Sequence, residues 1–358
     1  MNTKFLCPPI DALLSGKQRW QAPSNIALIK YWGKYGTQLP KNTSLSFTLQ
    51  NSRTTTEISY VPLSKRGDEV SFEFLFEGKP QPDFHPKLES FFARILPYQS
   101  FLKGLHLQIS SSNSFPHSSG IASSASAYAA LSACLVAIEA SCFPERSTAY
   151  WKQKISFMAR LGSGSAARSI SGPIMLWGKH TAFPESSNEY AIPFEGSLHA
   201  SFRDFQDCIL LVDKGQKKVS STLGHGLMEN HAYAAARFQQ AQQNTEKLAS
   251  ALVSGNLTTF TQIVESEALT LHAMMQTSNP YFILMRPNTL HIIEAIWAFR
   301  EATQIPLCFT LDAGANVHLL YPRKESKKVL EFIQSELVSY CQAGEYIMDC
   351  VGQGAKKS

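Results

Sequence analysis

The chain has 358 residues, 44% of them hydrophobic, and a formal net charge of +5. This length and composition predict a well-buried core and two domains, and they exclude a disordered chain. The Lys and Arg residues are scattered, with no run longer than those at 323–328 and at 356–357. The charge therefore favours an anionic small molecule over nucleic acid as the partner.

The seven cysteines show no CxxC pair and no spacing typical of metal ligands, which predicts reduced thiols in a cytoplasmic protein. The first twenty residues contain prolines and an aspartate where a secretory signal needs an uninterrupted apolar region. No run approaches the roughly 18 apolar residues of a membrane span, so we expect no membrane association.

The first element along the chain is "NIALIKYWGK" at residues 25–34, an apolar strand-like run interrupted by two lysines and two aromatics. By itself it fits an edge strand whose lysines extend into solvent. Alternating segments at 54–61, 70–76 and 105–110 predict half-buried strands. Residues 121–138 predict a buried helix, and a second helix is expected to end at Gly162.

A loose stretch rich in Pro, Ser, Glu and Asn between 183 and 201 predicts a boundary between domains 1–190 and 191–358. Beyond it, the pattern predicts a strand, three long helices, two strands joined by a tight turn, a helix and a last strand. This order is typical of a ferredoxin-like, split βαβ layer with an enlarged first crossover. The segments are 208–212, 228–253, 257–275, 289–302, 306–312, 317–322, 325–340 and 346–351.

In the segment "SFPHSSGIASSASAYAAL", residues 114–131, a glycine and several serines directly precede a predicted helix. It can present unpaired backbone N–H groups and the helix dipole to a phosphate, with serine hydroxyls for phosphate oxygens or a metal ion. The alternative is an ordinary N-cap at Ser118 or Ser119. A Walker A motif does not occur in the sequence.

The segment "RLGSGSAARS", residues 160–169, formally fits the dinucleotide fingerprint, but a predicted helix precedes it where a strand is required. We expect instead a loop that brings Ser163, Ser165 and Arg168 together. The planar guanidinium of Arg168 suits a carboxylate or phosphate, and the alternative is a surface arginine beside a helix cap.

Asp312 closes an apolar strand before the tight turn "AGAN". An acidic residue in this place is often a turn former. Beside Lys30, however, it would be a carboxylate able to accept a proton or orient a hydroxyl.

Together these elements resemble the mevalonate diphosphate decarboxylases of the GHMP kinase superfamily. The resemblance implies an α+β GHMP kinase fold, in which an N-terminal ribosomal-protein-S5-like α/β domain packs on a ferredoxin-like C-terminal domain. It also implies ATP- and Mg²⁺-dependent decarboxylation of mevalonate 5-diphosphate to isopentenyl diphosphate, by a protein that is often a homodimer in this family. The similar segments are "APSNIALIKYWGKYGTQLPKNTSLSFTL" (22–49), "NSFPHSSGIASSASAYAAL" (113–131), "RLGSGSAARSISG" (160–172), "KKVSST" (217–222) and "FTLDAGANVHLLY" (309–321).

Position by position, the resemblance implies that Asp312 contacts the 3-hydroxyl of the substrate. Lys30 is then the cation near Asp312 and the transferred phosphate, and Arg168 holds the C1 carboxylate. The metal ligands are not identified by the resemblance. The implied substrate-side positions are Tyr31, Lys34, Ser163, Ser165, Ser220, Ser221 and His272, and the implied ATP phosphate loop comprises Ser118, Ser119, Gly120, Ala122, Ser123 and Ser124.

Two positions depart from the family pattern. Tyr35-Gly36 stands where the family usually has Arg-Asp, near the expected diphosphate, and Ala315 stands where it usually has a proline that would fix the turn. The alternatives are a phosphomevalonate decarboxylase, a mevalonate or phosphomevalonate kinase, or a non-catalytic nucleotide-binding homologue. We expect the last of these to have lost Lys30, Arg168 or Asp312.

Overall fold

The N-terminal half folds into a large, mainly antiparallel sheet with three long helices beside it. The computed structural model describes residues 2–10, 14–116, 121–215 and 221–358. Its first elements are β1 (Gly16–Ile29), β2 (Lys34–Tyr35), β3 (Leu39–Pro40), β4 (Ser44–Pro62), β5 (Ser71–Phe76), β6 (Lys79–Pro80), α1 (His85–Ile95), β7 (Leu105–Asn113), α2 (Ser123–Ala140), α3 (Thr148–Gly162), β8 (Ile174–Trp177) and β9 (Ile192–Pro193).

The buried helix predicted over residues 121–138 is confirmed as α2. Small residues such as Ala129 and Ala133 are fully buried and let the helix pack closely on β1 and β4. Within the described residues, α2 is one helix whose length and composition would suit a membrane span, but two thirds of it is buried inside the protein. Its apolar character is therefore explained by its place in the core.

The helix α3 ends at Gly162, as predicted. The Ser147 hydroxyl caps its first turn by accepting a hydrogen bond from the Tyr150 N–H (3.2 Å). At the other end, a Cβ at position 162 would lie 2.2 Å from the Tyr128 ring. Glycine is required there because α2 and α3 approach each other closely at that point.

The C-terminal half is built on a four-stranded antiparallel sheet in the order β11-β12-β10-β13. This is the strand order of a ferredoxin-like layer, so the predicted fold class is confirmed. The elements are α4 (Ala200–Arg203), β10 (Gln206–Leu210), α5 (Ser221–Gly226), α6 (Ala234–Ser254), α7 (Leu257–Gln276), α8 (Pro287–Thr303), β11 (Cys308–Leu311), β12 (Val317–Tyr321), α9 (Ser326–Phe332), β13 (Tyr346–Cys350) and β14 (Lys356–Lys357).

Two helix predictions were too long. The segment from 228 contains turns before α6 begins at Ala234, because the His231 ring accepts a hydrogen bond from the Tyr233 N–H (3.1 Å) and holds the chain in a turn. The helix predicted over 325–340 is regular only in α9. It continues as a π-helical turn, Ile333–Leu337, and a 3-10 turn, Val338–Tyr340.

The two sheets are joined through an apolar core and a buried carboxylate. Phe47 of β4 meets Phe205 and Phe260 from the C-terminal half at ring distances of 6.0 and 6.1 Å. Nearby, Asp349 accepts hydrogen bonds from three consecutive backbone N–H groups, 50–52 in β4, at 2.7–2.9 Å. The junction is therefore both apolar and specifically hydrogen bonded.

Beyond β13 the chain returns to the N-terminal sheet. The Thr48 hydroxyl donates to the Gly352 carbonyl oxygen at 2.6 Å. The strand β14 then pairs with β1, placing Trp20 opposite Lys357 and Gln21 opposite Lys356. The large sheet thus contains strands from both ends of the described chain.

Candidate active site

Lys30 lies just beyond the end of β1 and is only 1% exposed. Its ammonium donates to the Ala27 carbonyl oxygen (2.6 Å) and stands 3.3 Å from Oδ1 of Asp312. Burial lowers the pKa of Lys30, and the Asp312 carboxylate opposes that shift. The interpretation of this segment as an edge strand with solvent-extended lysines is therefore wrong at Lys30.

Asp312 follows β11 and has both roles considered for it, as a turn former and as a carboxylate beside Lys30. Its carbonyl oxygen accepts from the Gly314 N–H (2.7 Å), which forms the tight turn. The same oxygen lies 3.1 Å from Nε2 of His272, which must be protonated to donate to it. The Asp312 side chain is 25% exposed and faces Lys30. The backbone thus builds the turn while the carboxylate stays open to a ligand.

Arg168 is 3% exposed, within the 3-10 turn Gly164–Ser169. Its Nη1 donates to the Ser44 hydroxyl, and its guanidinium lies 6.0 Å from the Trp177 ring centre. Its buried Nε has no hydrogen-bond partner among the described residues. Burial lowers the pKa of Arg168 to about 10, opposed by the Asp312 carboxylate. The interpretation as a surface arginine is wrong, and a buried cation with an unused donor suits a bound anion.

Serine hydroxyls connect the start of α2 to this turn. Oγ of Ser163 lies 3.3 Å from Oγ of Ser124 and 3.3 Å from Oγ of Ser165. Ala122 precedes α2 in a left-handed conformation (φ 46°), and the buried Ser123 hydroxyl has no partner among the described residues. Ser118, Ser119, Gly120 and Ser220 lie outside the described residues, as does the side chain of Ser221.

Tyr31 presents a buried hydroxyl that has no hydrogen-bond partner within the described part of the chain. Its ring packs against the rings of Trp177 (4.8 Å) and His225 (4.3 Å). Burial raises the pKa of Tyr31, so the hydroxyl remains protonated. It can therefore donate a hydrogen bond to a ligand oxygen.

Lys34 is half-buried in a small β2–β3 hairpin and donates to Oε1 of Gln38 (3.1 Å). Burial lowers its pKa, and the positive charge of Arg94 acts in the same direction. In the departure Tyr35-Gly36, Tyr35 ends β2 and Gly36 begins the turn of this hairpin with a φ of 47°. The Tyr35 hydroxyl accepts a hydrogen bond from the Asn188 amide (2.9 Å).

Sequence reasoning missed His225, which explains why Trp32 is present. The His225 ring packs against the Trp32 ring with their centres 4.7 Å apart, and its Nδ1 accepts a hydrogen bond from the Gly33 N–H at 2.9 Å. Burial lowers its pKa to about 3, with help from the charges of Lys34 and Arg168. No sequence signal links this residue of α5 to residues 31–33.

Two further missed residues are Glu267 and Arg237, a buried ion pair whose carboxylate accepts a hydrogen bond from the Lys30 N–H (2.9 Å). A sequence signal for Glu267 does exist. It falls between Val264, Ala268 and Leu271 on the apolar stripe of α7, where a charged residue is unexpected. Such a position indicates a charged group with a buried partner.

A cavity of about 150 Å³ lies beside the start of α2. Aromatic side chains from β5, from the 3-10 turn Pro82–Phe84 before α1 and from α2 form much of its wall. Ser111 and Asn113 of β7 contribute polar groups, and Ser123 and Ser124 connect the cavity to the serines described above. A flat aromatic group attached to phosphates would fit such surroundings. The aromatic lining residues are Phe74, Phe76, Phe84 and Tyr128.

The site combines the buried cations Lys30 and Arg168 with the Asp312 carboxylate and several hydroxyl groups. It can bind a carboxylate at Arg168, orient a hydroxyl at Asp312 and receive phosphates near Ser124. Among the described residues, no group of three or more His, Cys, Asp or Glu side chains could hold a metal ion. A divalent cation here would need phosphate oxygens among its ligands, as Mg²⁺ commonly has.

The chain is similar to known proteins over nearly its whole length. Family models for a diphosphomevalonate decarboxylase-like N-terminal domain and a mevalonate 5-diphosphate decarboxylase C-terminal domain match residues 22–191 and 208–354. A diphosphomevalonate decarboxylase of Ganoderma lucidum is 29% identical over 92% of this chain and 84% of its own length.

Solved structures agree with these matches. A crystal structure of mevalonate diphosphate decarboxylase from Staphylococcus aureus gives a TM-score of 0.82 at 26% identity, covering 96% of this chain and 98% of that one. A complex of MDDEF with MVAPP, AMPPCP and magnesium gives a TM-score of 0.78 at 25% identity, with the same coverage.

Proposed function

The chain belongs to the mevalonate 5-diphosphate decarboxylase family, and from this premise we propose how its residues carry out the reaction. The enzyme converts (R)-5-diphosphomevalonate and ATP to isopentenyl diphosphate, ADP, phosphate and CO₂. The observation that carries the assignment to this site is the contact between the buried Lys30 ammonium and the partly exposed Asp312 carboxylate, beside Arg168, whose Nε has no protein partner among the described residues.

Asp312 acts on the 3-hydroxyl of the substrate, as base or as orienting acceptor. The hydroxyl oxygen attacks the γ-phosphorus of ATP, the bond to the β-phosphate oxygen breaks, and ADP leaves. Lys30 lies 3.3 Å from Asp312, where its ammonium can stabilise charge on the transferred phosphoryl group. This step replaces a poor leaving group with a good one.

Arg168 holds the C1 carboxylate. The C3–O bond then breaks and inorganic phosphate leaves, while the electrons of the C1–C2 bond form the new double bond and CO₂ departs. Burial strengthens the guanidinium–carboxylate interaction, since little water screens it. Tyr31, Lys34 and the serines at 163 and 165 would bind the diphosphate side of the substrate, with His272 supporting Asp312 through its backbone.

For ATP, we propose that the base occupies the aromatic cavity and the phosphates lie near Ser123 and Ser124. The similarity to the MDDEF complex, which contains AMPPCP and magnesium, supports the use of ATP and Mg²⁺. The serine hydroxyls fit a cation held mainly by phosphate oxygens, and Mg²⁺ supplies neutralisation of phosphate charge when bound.

We further propose a cytoplasmic location, supported by seven free thiols. The division into domains 1–190 and 191–358 and the homodimeric state stay predictions. Light scattering during size-exclusion chromatography would measure the oligomeric state.

The test incubates the protein with ATP, Mg²⁺ and mevalonate 5-diphosphate labelled with ¹⁴C at C1, and measures ADP and ¹⁴CO₂ together. We expect equal amounts of both products. Release of ADP without ¹⁴CO₂ would indicate a kinase, and the absence of both products would contradict the assignment as an enzyme. A higher rate with mevalonate 5-monophosphate than with the diphosphate would indicate a phosphomevalonate decarboxylase.

We expect Asp312→Asn to lower kcat by about three orders of magnitude or more with nearly unchanged ATP binding, because a group acting in the transition state is removed. The exposed Asp204→Asn serves as the matched control and should behave as wild type. If Asp312→Asn keeps kcat within about tenfold of wild type, the role assigned to Asp312 is wrong.

A further inference from the structure

The main chain of Lys30 is held by the helices of the C-terminal half. Its N–H donates to Oε2 of Glu267 in α7 (2.9 Å), and its carbonyl oxygen accepts from Nη2 of Arg237 in α6 (3.4 Å). The Asn42 amide also donates to that carbonyl, at 3.0 Å. Because β1 ends at Ile29, these side chains replace the strand partner that Lys30 lacks.

Glu267 is itself fixed in place by three donors. It is fully buried, and Nη1 of Arg237 donates to its Oε1 at 2.9 Å while Nη2 contacts Oε2. The amide of Asn244 donates to Oε1 at 2.7 Å. A guanidinium that binds both carboxylate oxygens in this bidentate way restricts the position of the carboxylate more than a single hydrogen bond would.

From this geometry we infer that Glu267 and Arg237 are positioning residues that set the place of Lys30 relative to Asp312 across the junction of the two halves. The inference rests on the proposed function, in which Lys30 and Asp312 act together on the substrate. Neither Glu267 nor Arg237 needs to touch substrate, since each acts through the backbone of Lys30.

The charge of Glu267 has a second effect on Lys30. Negative charge faces Lys30 from Asp312 after β11 and from Glu267 in α7, whereas positive charge faces it from Arg168 in the 3-10 turn and from Arg237 in α6. Burial favours the neutral amine, and the two carboxylates favour the ammonium. Without the Glu267 charge, Lys30 therefore loses its proton at a lower pH.

The test compares Glu267→Gln with Glu265→Gln. Glu265 lies on the same helix, is 7% exposed and pairs with Arg300 at 2.6 Å, which makes it a matched control for loss of a buried ion pair. We expect Glu267→Gln to lower kcat about 10²-fold, to change KM for ATP less than about threefold, and to move the alkaline limb of kcat to lower pH. The control should keep the wild-type pH profile.

A measurement independent of turnover separates this inference from the proposed function. NMR of ¹³Cε-labelled lysine follows the Lys30 ammonium, identified as the signal missing from Lys30→Arg. We expect it to titrate at lower pH in Glu267→Gln than in wild type or Glu265→Gln. Unchanged titration would overturn the charge role of Glu267, whereas absence of ¹⁴CO₂ release by the wild type would overturn the proposed function alone.

A conservative variant keeps the inference testable if Glu267→Gln does not fold. Glu267→Asp retains the charge but shortens the side chain by one methylene, which withdraws the carboxylate from the Lys30 N–H. We expect kcat to fall about tenfold or more with the alkaline limb at its wild-type position. A wild-type kcat in Glu267→Asp would overturn the positioning role.

Discussion

His225 makes the stability of this protein depend on pH in a way that one substitution can reveal. The ring is neutral in the fold, because its Nδ1 accepts the Gly33 N–H and burial lowers its pKa to about 3. In the unfolded chain the pKa is about 6.5. The unfolded state therefore binds more protons than the folded state between these two values, and stability falls as the pH drops below 6.5.

The size of the effect follows from this difference. Each pH unit below the unfolded pKa costs about 1.4 kcal/mol of unfolding free energy until the folded pKa is reached. Lowering the pH from 7 to 5 should thus cost about 2 kcal/mol through His225 alone. The variant His225→Asn removes this contribution, and its side-chain oxygen can still accept from Gly33.

The assay is urea unfolding at pH 7 and pH 5, followed by tryptophan fluorescence, with the free energy taken by linear extrapolation. We expect wild type to lose about 2 kcal/mol more than His225→Asn between the two pH values. Loss of ring packing lowers the stability of the variant at both pH values, so that term cancels in the comparison. His291→Asn, at an exposed position, should follow wild type. Equal pH dependence in wild type and His225→Asn would refute the reasoning.

Two other predictions concern the cavity beside the start of α2, where we propose that the base of ATP binds, and the turn after Asp312. Phe74→Ala should raise KM for ATP about tenfold and leave KM for the substrate unchanged, since it removes an aromatic wall. Leu75→Ala, on the opposite face of β5, is its control, and equal kinetics in both variants would contradict the base site. Ala315→Pro should raise the unfolding free energy by about 0.5–1 kcal/mol, because proline reduces the conformational freedom of the unfolded chain. The hydrogen bond from the Thr289 hydroxyl is kept, since its acceptor is the carbonyl oxygen of residue 315. A lower melting temperature would show that the turn does not accept the proline ring.

The sequence predicted most of the regular elements because their patterns are local. The alternating segments became β4, β5 and β7, and the breaker-free run of small residues became α2. One error arose where a single side chain outweighed the pattern, as His231 does before α6. Helix boundaries of this kind depend on contacts that periodicity does not encode.

The candidate site was predicted only in part. That Lys30 and Asp312 lie together was implied by the resemblance to the decarboxylase family. Lys30 and Asp312 are 282 positions apart, and no spacing rule connects them. The burial of Arg168 could not be predicted either, because it depends on contacts with Ser44 and Trp177, which lie on the strands β4 and β8 outside its own turn. Glu267 could have been found, since a charged residue on an apolar helical stripe indicates a buried partner.

The pairing of β14 with β1 constrains the order in which the molecule can form. Thr48 and Gly352 are 304 positions apart, so the ribosome makes both before the contact between them can exist. Until then β1 has an open edge along residues 20–21, where it can pair with other chains. A fragment that stops at residue 190 should therefore aggregate more readily than the whole chain, and the large sheet should mature only after synthesis has passed residue 357.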